Sequence, residues 1–279
     1  MLRNQTWLIL CLLSLLLPVR AGKVEPFAGP RPMAVLVQEN PWASVVGAET
    51  PRIVVYENGD VIYTRDMPEE KKEFHFLARL DMNAMSAVKD HLRTVTNLSN
   101  LQRTYQLSES TGLGSSLFYL NVDNREVVVS VYGLHPGGDA TYVQTGRIPD
   151  PLRQLYNYLW TLQFAEARPW HSSYIETMIW PNDTSTEPAI VWPKDWPGLA
   201  SDRALPRGDG YSIFLDGNRL GALKKFLATQ KSKSAVEIDG RKWSLTWTPV
   251  FPSEPVWRKA FYQDPPIPPV PADIVVPKT

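Results

Sequence analysis

Chemistry in this chain could start at His135-Pro136-Gly137-Gly138-Asp139. The two glycines let backbone approach a ligand closely, and an imidazole can serve as base or ligand with a nearby carboxylate orienting it. His135 and Asp139 are therefore the catalytic candidates. One imidazole with one carboxylate makes neither a nucleophile triad nor a metal set, and Pro-Gly-Gly is also an ordinary turn. A second candidate is Trp192-Pro193-Lys194-Asp195-Trp196-Pro197. Two indoles four residues apart flank a Lys-Asp pair, and the prolines stiffen the segment, so little ordering entropy is lost on contact. Trp192 and Trp196 are the ligand-binding candidates; the competing expectation is that both indoles fold back and brace their lobe.

The common catalytic signatures are missing from the sequence. There is no H-E-x-x-H, no P-loop, no G-x-G-x-x-G and no G-x-S-x-G. Gly112-Leu113-Gly114-Ser115-Ser116 has its glycines misplaced for a nucleophile elbow and leads into a strand, so it reads as a loop. Asp202, Asp209 and Asp216 match no calcium-loop spacing and read as turn and cap residues. His75 and His91 fall on a strand and a helix. No cofactor and no metal set is expected.

Composition sets the compartment and the partners. The 279 residues carry 29 basic and 29 acidic side chains, a balance that lacks the footprint of a nucleic-acid binder. Arg3 and the amino terminus precede an apolar run from Trp7 to Leu17, then Pro18 and Val19-Arg20-Ala21. That is the layout of a signal peptide cleaved after Ala21, and the run is too short to span a bilayer as a helix. Cleavage removes Arg3, Arg20 and Cys11, the single cysteine, leaving two net negative charges and no thiol. An exported chain without disulfides must be held by its core alone, which suits a secreted or periplasmic setting in bacteria. No later apolar stretch approaches membrane length, so no integral segment is expected after signal removal.

The elements that must position the candidates follow from periodicity. Residues 22–44 read as an extended lead-in, with Met33 to Gln38 as a short strand. Residues 53–56 and 61–63 flank Asn58-Gly59, which favours a type I′ hairpin turn. Phe74 to Leu80 reads as a strand. Asp81 caps a helix whose stripe is Met85, Val88, Leu92 and Val95. A hairpin turns at Asp123-Asn124, and the apolar Val127, Val128, Val129 and Val131 place its second strand centrally. Asp150 and Pro151 open the next helix as N-cap and N1.

Tryptophans concentrate after residue 160, and a boundary falls at 165–169. The second half reads as strands at 174–180 and 211–215, a helix from Asp216, and a hairpin turning at Asp239-Gly240. Exposed indoles would stack on sugar rings, but Trp243, Leu245 and Trp247 alternate with Ser244, Thr246 and Thr248, which favours burial of one face. The expected fold is α+β. It has two lobes, 45–165 and 166–263, of mainly antiparallel sheets with helices packed on one face, and a Pro-rich tail at 264–279. Each half runs β-α-β-β, an order compatible with a diverged duplication and common in α+β folds generally.

The hairpin Ile53-Val54-Val55-Tyr56-Glu57-Asn58-Gly59-Asp60-Val61-Ile62-Tyr63 and the strand Val129-Ser130-Val131-Tyr132-Gly133-Leu134 resemble those of a group of secreted or periplasmic bacterial proteins of unknown function. The resemblance covers residues 51–165. It implies export and supplies no catalytic residues. Two functions follow as expectations. The first is a non-catalytic binding or scaffold protein of the cell envelope, with a protein or carbohydrate ligand. The alternative is a secreted or periplasmic hydrolase whose site lies between the lobes and uses His135 or dispersed carboxylates.

N-terminal sequencing of the exported protein is expected to begin at Gly22. Full-length chain retained in membranes after alkaline extraction would contradict cleavage.

Overall fold

The computed structural model describes residues 25–39, 49–67, 72–135, 147–231 and 234–262. The signal segment, Asp139 and the Pro-rich tail lie outside them. The chain is α+β, with two antiparallel-dominated sheets and four α-helices among the described residues.

The first sheet has eight strands. They are β1 (Pro32–Gln38), β2 (Pro51–Tyr56), β3 (Asp60–Met67), β4 (Lys72–Arg79), β5 (Thr104–Gln106), β6 (Ser115–Val122), β7 (Arg125–Tyr132) and β8 (Arg168–Pro169). Their order is β5-β7-β6-β1-β2-β3-β4-β8, antiparallel except where β5 runs parallel to β7. The lead-in is thus no lead-in: β1 sits in the middle of the sheet, between β2 and β6. Its run Met33-Ala34-Val35-Leu36-Val37 is apolar throughout because both its faces are covered. The boundary segment is also part of this sheet, since β8 pairs with Phe76 and Leu77 of β4 at its far edge.

Side chains alternate between the two faces. Met33, Leu36, Ile53, Val55, Phe118 and Leu120 meet α1 (Met82–Thr96) and α2 (Asp150–Thr161). Val35, Val37, Val54, Tyr56, Leu117 and Tyr119 meet Phe251 and Trp257, at the end of the chain. Trp257 belongs to α4 (Glu254–Phe261). Helices therefore cover both faces of this sheet, and not one as the sequence suggested. The cause is the second apolar set, which among the described residues is covered from beyond the first lobe, by Phe251 and Trp257.

The second sheet contains β9 (Tyr174–Pro181), β10 (Ile190–Val191), β11 (Ala204–Arg207), β12 (Gly210–Asp216), β13 (Val236–Ile238) and β14 (Arg241–Pro249), in the order β10-β13-β14-β9-β12-β11. A 3-10 turn at Gly217–Arg219 leads into α3 (Leu220–Leu227), whose Leu223 packs on Ile175, Ile213 and Trp243. Neither the order nor the pairing repeats between the halves: β5 lies between α1 and the β6–β7 hairpin, whereas α3 leads directly to β13–β14. Here β9 alone separates the strand before the helix from the following hairpin; in the first sheet β1, β2 and β3 intervene.

Turn geometry departs from the sequence reading at one place. Three residues separate Tyr56 from Asp60, and Gly59 alone has positive φ, +90°. That is a type I turn closed by a glycine bulge, held by Gly59 N–H to the Tyr56 carbonyl at 3.0 Å. The two-residue type I′ loops lie at Asp123-Asn124, φ 53° and 60°, and at Asp239-Gly240, φ 50° and 76°.

Caps also divide. Asp81 accepts from Ala84 N–H at 2.8 Å, as expected of an N-cap. Asp150 instead lies inside the first turn of α2, with Pro149 at the cap. Asp216 caps nothing with its side chain, because its carboxylate takes Arg203 at 2.7 Å.

The two lobes exchange their ends. Phe27, ahead of β1, packs edge-on against Phe214 of the second sheet at 5.5 Å. After the last strand of the second sheet, α4 returns to the first. Ser253 takes the left-handed conformation at φ 53°, which costs a non-glycine residue about 1–2 kcal/mol. Two hydrogen bonds to the N-terminal segment hold it there: its N–H to Phe27 O at 2.7 Å and its hydroxyl to Gly29 O at 3.2 Å.

Trp257→Ala is expected to cost about 3–5 kcal/mol, the range for truncating a buried aromatic. Because α4 links the lobes, urea unfolding should remain one transition. Two separated transitions in the variant would show the lobes to be independent.

Candidate functional site

Of the predicted site residues, His135, Trp192 and Trp196 are among the described ones. His135 follows the end of β7 and is half-buried, while Asp139 lies outside the described residues. Trp192 and Trp196 are only 6% and 9% exposed. They meet edge-on at 4.9 Å and both contact Phe226 of α3, at 5.8 and 5.6 Å. The Trp192 indole N–H donates to Pro197 O at 3.0 Å, so the loop closes over its own indoles. Neither ring offers a free face for stacking; this corrects the reading of the pair as a ligand platform. The reason is that the second core is small and takes up large aromatics. The loop still borders a polar cleft of about 350 Å³ with Arg203, Asp216 and Arg219. Its charges are largely matched, Arg203 to Asp216 at 2.7 Å and Arg219 to Asp195 at 2.9 Å.

The charges that do converge were not singled out by the sequence. Glu176 of β9 points from the polar face of the second sheet toward α4 and is 2% exposed. Its carboxylate accepts from Ser212 Oγ at 2.6 Å, Arg258 Nη1 at 2.9 Å and Arg207 Nη1 at 3.4 Å. Arg258 Nη2 lies 2.7 Å from Glu254 Oε1, and Glu254 Oε2 accepts from Phe251 N–H at 2.9 Å.

Burial raises the Glu176 carboxyl, but Arg258, Arg207 and the Ser212 hydroxyl outweigh it and hold the group below the usual range. Burial dominates at Glu254 and, with Glu176 repelling it, pushes its carboxyl to about 7 despite Arg258. Two carboxylates whose environments push them apart form the pattern of an acid and a base. Both are sealed, at 2% and 1% exposure, where α4 meets the second sheet. Sequence carried two faint signals: Glu176 interrupts the apolar run Tyr174–Pro181, and Glu254 and Arg258 are four apart on a helix.

A further titratable group, half-buried, lies in the same region. The His75 imidazole contacts Trp170 and Phe251 edge-on at 5.7 and 5.4 Å. Burial lowers it from 6.5 to about 4.

An open groove lies elsewhere, along the outer edge of β7. Its volume is about 380 Å³, and its walls include Thr96, Leu101, Arg103, Arg125, Val128 and Ala260. Of the valines that suggested a central strand, Val129 and Val131 are buried, but Val127 and Val128 are only half-buried, because β7 is next to the edge and β5 covers just residues 130–132. Thr96 is 2% exposed, and among the described residues its hydroxyl, sealed from solvent, has no hydrogen-bond partner.

Among the described residues no helix is long and apolar enough to cross a membrane. Comparison with known family models, curated proteins and solved structures finds no match to this chain.

The raised Glu254 gives a signed pH effect. Its folded-state value near 7 exceeds the ordinary 4.5, so the folded protein keeps a proton the unfolded chain has lost, and stability falls as pH rises from about 4.5 to 7. His75 acts oppositely, costing stability as pH falls from 6.5 toward 4. The His75 contribution cancels when wild type is compared with Glu254→Gln. The stability of that variant relative to wild type is expected to rise between pH 5 and pH 7.5 in urea titrations. A difference independent of pH would contradict the assignment.

Proposed function

We propose that this chain is an exported, non-catalytic binding or scaffold protein of the cell envelope, secreted or periplasmic after removal of a signal peptide near Ala21. The observation that carries the reading is the groove beside β7. It combines a sheet edge left half uncovered with two guanidinium groups, which are means of holding a ligand. The signal-like N-terminus and the resemblance of residues 51–165 to secreted bacterial proteins support export. Of the two ligand classes, a protein segment fits better than a carbohydrate, because Trp192 and Trp196 have no free face to stack on a sugar.

One observation favours the alternative, a hydrolase with a site between the lobes. Glu176 and Glu254 lie there, one held ionised and the other raised to about 7. A panel of glycosidase, peptidase and esterase substrates separates the readings. The mature protein is expected to give no turnover above the blank. Turnover that disappears in Glu254→Gln or His135→Ala, with folding intact by circular dichroism, would establish the hydrolase.

A further inference from the structure

We propose that the open half of β7 receives an extended acidic peptide, which adds to the first sheet as a short strand; this rests on the binding-protein reading above. The hairpin fixes which backbone groups are on offer. The two-residue loop at Asp123-Asn124 makes Val122 and Arg125 the closing hydrogen-bonded pair. Amides then alternate, so residues 125, 127, 129 and 131 face β6, while 126, 128, 130 and 132 face outward. The outward groups of the far half are used: Ser130 N–H donates to Arg103 O at 2.8 Å, and Tyr132 O accepts from Leu107 N–H at 3.0 Å. Among the described residues no backbone partner takes the outward groups of Glu126 and Val128. The chain ahead of β5, at Leu98 and Leu101, forms the opposite wall of the groove and does not continue the ladder.

An exposed ladder of this kind pairs with extended polypeptide, whose main chain supplies affinity and whose side chains supply selectivity. The side chains here favour an acidic residue. Arg103 and Arg125 line the groove against one carboxylate, Glu126, which already accepts from the Tyr119 hydroxyl at 3.1 Å. Arg103 donates Nη2 to Ala260 O at 3.0 Å and Arg125 donates Nη1 to Asn97 Oδ1 at 2.7 Å, so each retains further donors. Leu98, Leu101 and Ala260 supply the apolar wall on which a neighbouring side chain can rest.

The probe is a fluorescein-labelled Thr-Val-Asp-Val-Thr peptide with its terminal charges blocked; the control carries Lys in place of Asp. Fluorescence polarisation with the mature protein is expected to show saturable binding of the acidic probe and at least about tenfold weaker binding of the control. Hydrogen exchange should slow at the Glu126 and Val128 amides when the acidic probe is bound. Val128→Pro removes the outward donor while leaving the β6 ladder intact, and should weaken binding about tenfold or more. Arg103→Gln with Arg125→Gln should do the same for the acidic probe alone, and decides the matter if the proline variant does not fold.

Failure of the probe to bind, or binding indifferent to both variants, would overturn the inference. So would a concentration-dependent dimer that protects Glu126 and Val128 without peptide, because the occupant would then be a second copy. Cleavage of the probe, read by mass spectrometry, would instead overturn the binding-protein reading on which the inference rests.

Discussion

Arg258 is the side chain on which the arrangement of the lobes turns. A guanidinium buried to this degree is tolerable only beside carboxylates, and it has two: Glu176 across the interface and Glu254 one turn back on its own helix. The pairing is directional, so it fixes more than contact. Trp257, adjacent in sequence, packs on the face of the first sheet that carries Val35, Val54 and Tyr119. Apolar packing on one side of α4 supplies stability, and the ionic contacts on the other fix the orientation of the helix against the second sheet. Replacing Arg258 leaves Glu254 buried without its ion-pair partner, and breaking a buried pair in this way typically costs about 3–5 kcal/mol.

That constraint explains why the lobes exchange their ends. The first sheet has two apolar faces but, among the described residues, two helices of its own, both on one side. The second sheet has one apolar face, filled by α3 and by Trp192, Trp196 and Trp243, and an opposite face where Glu176, Ser212 and Thr248 stand beside Met178 and Phe214. The apolar parts of both surplus surfaces do not suit water. Sending α4 to the first sheet while its charges answer Glu176 resolves both at once, and Phe27 closes the seam from the other end of the chain.

The same economy shapes the edges. All four sheet ends finish in strands of two to four residues, β5, β8, β10 and β11, which leave little ladder to pair with a neighbour. Two of them cover only part of an eight-residue strand: β8 pairs with Phe76 and Leu77 of β4, and β5 with the last three residues of β7. At β7 the uncovered part faces a groove rimmed by arginines. A natural sheet seldom leaves such a segment unprotected, and this is where the molecule presents hydrogen-bonding capacity outward.

Local order was legible in the residues themselves. The stripe Val88, Leu92 and Val95, the cap Asp81, and the turns at Asp123-Asn124 and Asp239-Gly240 depend on neighbours three or four positions away, so spacing and side-chain type suffice. The α+β class followed from those segments. Tertiary structure alone decided the rest, because it depends on contacts between residues far apart in the chain. Val35 and Val54 look like any buried valines until a helix two hundred residues later covers them. The indoles of Trp192 and Trp196 could have faced either way, and Phe226 turned them inward. Glu176 and Arg258 are 82 positions apart, and no local pattern joins them. The groove is the extreme case, since its character comes from β5 being too short to cover β7, a property of pairing that no single segment encodes.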